Sequence, residues 1–297
     1  MTHRFHYTIT EQDARKTLGE YLREHGYSRH LLAQIKRSPG AMCRNGIWTR
    51  VSAPLENGDD LDICLPREMS QEKIEPVSLP FTVVYEDRDI LVVHKPANMP
   101  VHPSPGNYGN TLANAVAAYA RKQEEAWPFR CINRLDRDTT GLLILAKHAL
   151  SAAILSDAMK HRAIRRSYLA VVSGCPNPRA GCIDAPIGRA PGSCLQRQVD
   201  VSQGERAITH YRTLSVGSVY SLVELWLETG RTHQIRVHMA HIGCPLPGDF
   251  LYNPDFSRIG RQALHAATLD FAHPITGKPM HFETPLPEDM TQLLKSV

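Results

Sequence analysis

Residues 133–146 read Asn133-Arg134-Leu135-Asp136-Arg137-Asp138-Thr139-Thr140-Gly141-Leu142-Leu143-Ile144-Leu145-Ala146. The apolar run after Gly141 is typical of a buried strand, so we expect the charged loop before it to lie at the end of a sheet, held rigid and facing solvent. A loop in that position is well placed for chemistry. Taken alone, however, a short loop of this kind is more often a polar turn in which an Asp hydrogen-bonds backbone N–H groups. The rest of the chain has to decide between the two interpretations.

The composition describes an ordinary globular protein. The chain has 297 residues, of which 42% are hydrophobic and 22% are charged, and this length suffices for two domains. Its seven cysteines contain no C-x-x-C pair, which argues against a disulfide framework or a zinc site and favours the reducing cytoplasm. No signal-peptide core and no membrane-length apolar run is present, so we expect neither export nor membrane insertion.

Charge is distributed unevenly in the first 79 residues. Residues 14–50 contain eight Lys or Arg and two acidic residues, whereas residues 51–79 contain two basic and seven acidic residues. The net charge of the whole chain is only +4 and by itself does not indicate a polyanionic partner. The early segment nevertheless predicts a local basic patch.

Two short helices are predicted within this basic segment, followed by a β-hairpin. The second helix begins after Ser28, a suitable N-cap, and would present Arg29, Lys36 and Arg37 to solvent as phosphate-binding side chains. Asn45-Gly46 is a strong hairpin signal. A closing strand is expected at 60–65, where polar and apolar residues alternate.

Residues 14–66 resemble the S4 RNA-binding domain in the order and spacing of these parts. We therefore predict an S4-like RNA-binding domain at residues 1–66, a polar, acidic, proline-flanked linker at 67–79, and a second domain at 80–297. The alternative is a small helix-hairpin unit whose basic face is simply solvated.

The second domain shows strand and helix patterns in alternation, with one long irregular part. Helices are expected at 111–120 and 151–160, and strands at 83–85, 90–93, 142–146, 167–172, 209–214 and 221–228. Residues 174–204 read as loop-rich, and we assign them no chemistry.

A second basic cluster occupies residues 160–166, Lys160-His161-Arg162-Ala163-Ile164-Arg165-Arg166. A charge run is usually a solvated face. This one directly precedes the strand that carries Tyr168, so it is also a candidate RNA-binding element.

Residues 229–241 read Thr229-Gly230-Arg231-Thr232-His233-Gln234-Ile235-Arg236-Val237-His238-Met239-Ala240-His241. We expect this segment to form a hydrogen-bonded network around one buried cation, Arg236. A buried Arg needs an anionic partner, because an unpaired buried charge costs several kcal/mol, and Asp136 is the best candidate. Such a pair would keep Asp136 ionised, as suits a nucleophile or base. A metal site formed by the three His residues is disfavoured, since no suitably spaced carboxylate or thiolate completes it.

No glycine-rich phosphate loop and no Ser or Cys nucleophile motif occurs in the chain. Cofactor-dependent chemistry is therefore disfavoured on the sequence alone.

Several motifs together closely resemble the RluA family of pseudouridine synthases. They are Arg134-Leu135-Asp136 with Thr139-Thr140-Gly141, Ser167-Tyr168-Leu169-Ala170, Gly230 to His238, Pro247-Gly248-Asp249 and Leu264-His265-Ala266. The resemblance spans about residues 80–285. It implies an α+β catalytic domain with a mixed, largely antiparallel central sheet, flanking helices and an RNA cleft.

The resemblance also implies roles for individual residues. The catalytic aspartate falls on Asp136, the active-site tyrosine on Tyr168 and the aspartate-pairing arginine on Arg236. Arg134 falls on the arginine that fills the space of a flipped uridine, a step needed because a stacked base cannot be reached. Further RNA contacts are expected from the residues Arg162, Arg165, Arg166, Arg231 and His233. No metal or cofactor is expected.

The sequence departs from the family pattern at Asn133, where His is usual, and at Thr140, where Ser is commoner. Asn133 hydrogen-bonds but carries no charge, so an ionisable role there is absent. The expected function is conversion of uridine to pseudouridine in RNA by a cytoplasmic monomer, with ribosomal RNA favoured over transfer RNA. A noncatalytic RNA-binding factor and a hydrolase that releases uracil remain alternatives.

Overall fold

A computed structural model describes residues 3–66, 74–125 and 127–295 of the chain. Residues 67–73 of the predicted linker lie outside this description, and residues 74–79 contain neither helix nor strand. Within the described ranges, no helix is both long enough and apolar enough to cross a membrane.

The N-terminal part combines a small antiparallel sheet with two helices. In chain order its elements are β1 (Arg4–Thr8), α1 (Leu18–Glu24), α2 (Arg29–Arg37), β2 (Met42–Arg44), β3 (Ile47–Trp48) and β4 (Asp60–Cys64). The strand order is β1-β4-β2-β3. The predicted helices, the hairpin and the closing strand are confirmed, and the Ser28 side chain caps α2 by accepting a hydrogen bond from the Leu31 N–H. The pattern did not predict β1.

The apolar core of the N-terminal part also includes side chains from the second part of the chain. Leu18, Leu22 and Ile35 are fully buried in one apolar cluster, which also includes Leu150 of the second part. A Cβ on Gly26 would approach Ile154 Cγ1 to 2.4 Å, so the two parts are in close contact there. The domain boundaries at 66 and 80 stay a prediction.

The remaining chain forms a large sheet with four helices and a separate two-stranded ribbon. Its elements are β5 (Thr82–Glu86), β6 (Ile90–Lys95), α3 (Leu112–Lys122), β7 (Thr140–Ala146), α4 (Ala149–Lys160), β8 (Arg165–Ser173), β9 (Ala180–Asp184), β10 (Ile187–Arg189), β11 (Arg197–Val199), β12 (Ile208–Val216), β13 (Tyr220–Leu227), α5 (Gln234–His241), β14 (Leu264–Ala272), β15 (Pro279–Glu283) and α6 (Glu288–Lys295). The sheet has the order β5-β6-β7-β14-β8-β13-β12-β9, and β15 also pairs with β14.

Only β7 and β14 run parallel among the described strand pairs of this sheet. The predicted α+β class with a mixed, largely antiparallel sheet is therefore confirmed. Most of residues 174–204 lie outside helices and strands, as predicted for a loop-rich segment, but three short strands, β9, β10 and β11, lie there as well. Their short length and few apolar residues hid them from a periodicity argument.

The apolar run of the opening stretch is the buried centre of the sheet. All seven residues of β7 are buried: β6 and β14 pair with its two edges, and its alternating side chains pack into apolar clusters on the two faces of the sheet. Gly141 has φ +117°, and a Cβ there would lie 2.2 Å from the carbonyl oxygen of Ala266 on β14. Only glycine permits this approach, which fixes where the loop before β7 leaves the sheet.

Candidate active site

The loop before β7 is held in place by hydrogen bonds from a buried lysine. Lys95 lies at the end of β6, pairs with Gly141 in the β6–β7 register and is 0% exposed. Its ammonium donates hydrogen bonds to the carbonyl oxygens of Pro96, Met99 and Arg137, at 2.7 to 2.8 Å. The backbone of the loop at Arg137 is thereby fixed to the end of the neighbouring strand.

Asn133 attaches the start of the same loop to β7. Its side-chain amide donates to the Leu142 carbonyl at 3.3 Å, and its oxygen accepts from the Ile144 N–H at 3.0 Å. The side chain is buried, with 4% exposure. Asn at this position therefore acts as a neutral donor and acceptor toward a strand.

A buried ion triad joins this loop to helix α5. Arg236 Nη1 lies 2.8 Å from Asp136 Oδ2, and its Nε and Nη2 lie 2.7 and 2.8 Å from the two carboxylate oxygens of Asp249. The side chains of Arg236 and Asp249 are 1% and 0% exposed, whereas that of Asp136 is 30% exposed. The predicted pair of Asp136 and Arg236 is confirmed, and Asp249 is a second partner that sequence reasoning missed.

Two aromatic rings cover the guanidinium. The Cζ of Arg236 lies 5.4 Å from the ring centroid of Phe250 and 5.2 Å from that of Tyr252. Burial alone lowers the pKa of Arg236, but the hydrogen bonds to Asp249 and the charge of Asp136 outweigh it and raise the pKa. Arg236 is thus a permanent, oriented cation behind Asp136.

The start of α5 is fixed by a buried glutamine. The side-chain oxygen of Gln234 accepts hydrogen bonds from the Thr229 hydroxyl and the Arg231 N–H. Its nitrogen donates to the Ile208 carbonyl and the Thr209 hydroxyl of β12. Because Gln234 ties the first turn to the sheet, Arg236 two residues later is held in place.

His233 precedes this helix in a left-handed conformation, with φ 60°. Its Nε2 lies 4.0 Å from Asp136 Oδ2, and its Nδ1 lies 3.1 Å from the Tyr252 hydroxyl. Burial lowers the pKa of His233, although the charge of Asp136 opposes this. His233 therefore lies beside Asp136 and is held in place by its contact with the Tyr252 hydroxyl.

A cleft of about 750 Å³ opens in front of the triad. Asp136, Tyr168 and Arg236 all line it, although they come from the β7 loop, β8 and α5. Tyr168 is largely buried, and its main-chain neighbour across the sheet is Leu225 of β13. The fold thus brings the three predicted site residues to one cavity.

The predicted RNA-binding residues of this part are only partly gathered at the cleft. It is lined by Arg134, Arg162, Arg166, Arg231 and His233, and Arg165 is absent from the lining. Arg134 is exposed and makes no hydrogen bond or ion pair with any described residue. Arg231 is already bound to the carboxylate of Glu205 and the carbonyl of Arg206.

The N-terminal basic patch is smaller than the sequence count indicated. Lys16 binds Asp13 and Glu24, and Arg44 binds Asp59 at 2.7 Å. The acidic residues near Arg44 in space belong to the segment that follows it in sequence. Three cations of α2 are exposed and form no ion pair within the described residues, namely Arg29, Lys36 and Arg37.

Asp138, two residues after Asp136, pairs with the side chain of its neighbour in sequence. Its carboxylate accepts hydrogen bonds from the Arg137 guanidinium at 2.8 to 3.1 Å. Two features explain why sequence reasoning missed Asp249 and Lys95. Lys95 is far from residues 133–141 in sequence and reaches the loop through the pairing of β6 with β7. Asp249 reaches Arg236 from the turn segment between α5 and β14, which carries no periodic pattern.

Most of the candidate metal-ligating side chains of the described residues are already used in hydrogen bonds. His238 uses both ring nitrogens in contacts to the Thr209 hydroxyl and the Ala185 carbonyl, which makes it a structural residue. Among the described residues, two groups have metal-compatible spacing, one of His3, Asp89 and His148 and one of Asp87, Asp89 and His273. In both groups the carboxylates and imidazoles already hydrogen-bond one another.

Residues 89–241 match the model of a family described as RNA pseudouridylate synthase. The chain is similar to YjbO of Bacillus subtilis, an uncharacterized RNA pseudouridine synthase, with 40% identity over 94% of this chain and 98% of that protein. It is 42% identical to ribosomal large subunit pseudouridine synthase D of Zymomonas mobilis, over 88% of this chain and 84% of that protein. The solved structure of human RNA pseudouridylate synthase domain containing 1 covers 77% of this chain and 97% of its own, with a TM-score of 0.58 and 26% identity.

Proposed function

The chain belongs to the RNA pseudouridylate synthase family and is an RNA pseudouridine synthase; we propose that it modifies large-subunit ribosomal RNA and that Asp136 is its reacting group. In this isomerisation the bond from C1′ to N1 of a uridine breaks, the uracil rotates and C1′ joins C5. C5 loses a proton and N1 gains one. No oxidant is consumed and no group is transferred from outside, so we propose that neither metal nor cofactor takes part.

One observation carries the assignment of Asp136. Its carboxylate is the exposed member of a triad whose other members, Arg236 and Asp249, are buried. The Arg236 contact orients the Asp136 carboxylate at the cleft. A carboxylate oriented in this way can attack C1′ or take a proton from the ribose.

Tyr168 and Arg134 complete the proposed site. Tyr168 lines the cleft with Asp136, where its ring would pack against the uracil and assist removal of the C5 proton. Arg134 is exposed and two residues from Asp136, so its guanidinium can occupy the gap that the extruded uridine leaves in the RNA. Filling that gap would offset part of the cost of unstacking, which is roughly a few kcal/mol.

Positive side chains around the cleft would hold the RNA backbone. We propose phosphate contacts from Arg162, Arg165, Arg166 and Arg231, and a polar contact from His233. The N-terminal part would act as an S4-like RNA-binding domain through Arg29, Lys36 and Arg37, supported by the exposure of these cations on α2.

Ribosomal RNA is proposed over transfer RNA because the Zymomonas relative is named for the large ribosomal subunit. We propose that the enzyme acts as a cytoplasmic monomer.

The test has two arms. Pseudouridines are mapped across ribosomal and transfer RNA from cells with and without the gene, and the lost position is then supplied to purified protein in transcribed RNA. We expect the loss of pseudouridine at one or more large-subunit positions, and its formation in vitro without free uracil. A loss confined to transfer RNA would contradict the substrate, and release of free uracil would instead indicate a hydrolase.

A further inference from the structure

A second cavity, of about 450 Å³, adjoins the cleft and is lined in part by side chains from the other face of the sheet. Tyr168 pairs with Leu225, and the preceding Ser167 pairs with Trp226. Since successive side chains of a strand point to opposite faces, Ser167 and Trp226 point away from the face of Tyr168. Both of them line the second cavity.

The two cavities meet at the beginning of β8. Arg162, Ile164, Arg166 and Leu227 line both of them. An RNA strand that leaves the cleft past these side chains would therefore reach the second cavity directly. Its volume is within the range of small-ligand sites, about 300–1,000 Å³.

An exposed indole forms one wall of the second cavity. Trp226 is 41% exposed on a central strand of the sheet. The ring of His210 on β12 runs parallel to it, at an interplanar angle of 8° and a centroid distance of 5.6 Å. Because β12 and β8 flank β13 on opposite sides, His210 supports the indole from the side away from Ser167.

The floor beside the indole is made of small hydroxyl side chains. Ser167 Oγ lies 2.8 Å from Thr268 Oγ1, and Thr268 also accepts a hydrogen bond from the Ser167 N–H. Two small residues next to a large ring leave a slot. We call the space bounded by Trp226, Ser167, Thr268 and Arg165 the Trp226 slot.

The acidic side chains around the slot have partners, whereas two of its arginines do not form ion pairs with the described residues. Its acidic residues are paired, Glu224 with Arg212 at 2.7 Å and Asp270 with His281 at 2.6 Å. Arg165 and Arg166 form no ion pair or hydrogen bond through their side chains with the described residues. Two cations are therefore left for an anionic ligand.

We propose that the Trp226 slot binds one unpaired nucleotide of the substrate RNA that flanks the target uridine. The base stacks on the indole of Trp226, the hydroxyls of Ser167 and Thr268 meet its edge, and Arg165 and Arg166 hold the adjoining phosphates. The inference rests on the proposed function, because it requires RNA in the cleft. It gives Arg165, which lies outside the cleft lining, a place on the RNA path.

The test measures binding of a fluorescein-labelled RNA of nine nucleotides, one central uridine between adenosines, by anisotropy at low salt. Trp226→Ala should weaken binding about tenfold, and Trp226→Phe should restore most of it because a ring remains. Phe256→Ala removes an exposed ring outside both cavities and should have no effect. Arg165→Gln should weaken binding, whereas the exposed Arg258→Gln should not.

An abasic scan of the same RNA locates the nucleotide. Removing the base at one position of the RNA should weaken its binding to the wild-type protein about as much as Trp226→Ala weakens binding of the intact RNA. Removing the same base should not weaken binding to the Trp226→Ala variant any further. The proposed slot would be overturned if Trp226→Ala and Phe256→Ala bound the RNA equally well, or if the wild-type protein did not bind it. It would also be overturned if abasic substitution at every position weakened binding to Trp226→Ala. Pseudouridine mapping is a separate readout, so a neutral Trp226 result leaves the proposed reaction standing.

Discussion

Arg236 donates from Nη1 to Asp136 Oδ2 at 2.8 Å while its other two nitrogens are held by a different carboxylate, that of Asp249. The arginine is therefore oriented independently of Asp136. A guanidinium held only by Asp136 could rotate with it, but one fixed by a bidentate contact presents its third edge at a set position. Asp136 gains an aimed partner and remains open to the cleft.

This geometry predicts that Asp249 positions the site. Asp249→Asn removes the bidentate charge pair behind Arg236 and should lower the single-turnover rate about 100-fold, as expected for a misplacement near 1 Å. RNA affinity should change little, because Asp249 is fully buried and does not line the cleft. Rapid-quench pseudouridine formation and anisotropy measure the two quantities.

A matched control exists on the same chain. Asp59 is likewise buried, with 5% exposure, and pairs with Arg44 at 2.7 Å in the N-terminal part, away from the cleft lining. Asp59→Asn should lower the free energy of unfolding without a comparable rate loss. Equal rate losses in both variants would show that Asp249 acts only through general stability.

Gly141 is predicted to be indispensable for the loop. Gly141→Ala places a Cβ 2.2 Å from a backbone oxygen at φ +117° and should lower the free energy of unfolding by at least ~3 kcal/mol. Gly174→Ala, at φ +74° with open space around it, should cost only ~1 kcal/mol. Urea unfolding of both variants checks this, and similar losses would contradict the role of the β14 contact.

Stability should fall in mild acid because of His265. Burial, followed by the charges of His94 and Arg261, lowers the pKa of His265 from 6.5 to about 4. Between these values the unfolded chain binds more protons, so the free energy of unfolding should decrease as the pH falls from about 6.5 to about 4, by up to ~3 kcal/mol.

The measurement is urea unfolding at several pH values. His265→Gln should show a smaller decrease than wild type over this window. His281→Gln should leave the decrease unchanged. Asp270 raises the pKa of His281, so the contribution of His281 to the free energy of unfolding changes with pH only above about 6.5. An unchanged slope in His265→Gln would contradict a neutral buried His265.

The α2 cations are predicted to contact RNA phosphates. Replacing Arg29, Lys36 and Arg37 by Gln should weaken binding of the transcribed ribosomal RNA most at low salt. The slope of log affinity against log salt should become shallower by about two to three, since each phosphate contact contributes nearly one. Arg121→Gln with Lys122→Gln, exposed on α3, is the control, and an equal effect of both sets would indicate a nonspecific field.

Local pattern predicted the secondary structure near the site but left its assembly open. The buried strand after Gly141, the Ser28 cap and the Asn45-Gly46 hairpin followed from short-range chemistry, and the structure contains all three. The ion pair of Asp136 with Arg236 followed from the cost of burying an unpaired charge. These features depend only on residues close in sequence or on the need of a buried charge for a partner.

The parts that could not be predicted depend on which strands become neighbours. Lys95 reaches the loop through the pairing of β6 with β7, and Asp249 reaches Arg236 from the turn segment after α5. No periodicity in either segment indicates these contacts. The same holds for the slot beside Trp226, where residues from β8, β13 and β14 meet. The strands at 180–199 are too short for their pattern to outweigh the surrounding Gly and Pro residues.

The central claim is that Asp136, and not its neighbour Asp138, reacts with the uridine. The most direct measurement is single-turnover formation of pseudouridine in transcribed large-subunit ribosomal RNA by Asp136→Asn and Asp138→Asn, with RNA affinity measured in parallel. We predict no detectable product with Asp136→Asn at near wild-type affinity, and product within a few-fold of wild type with Asp138→Asn. Pseudouridine formation by Asp136→Asn at a rate comparable to wild type would contradict the account.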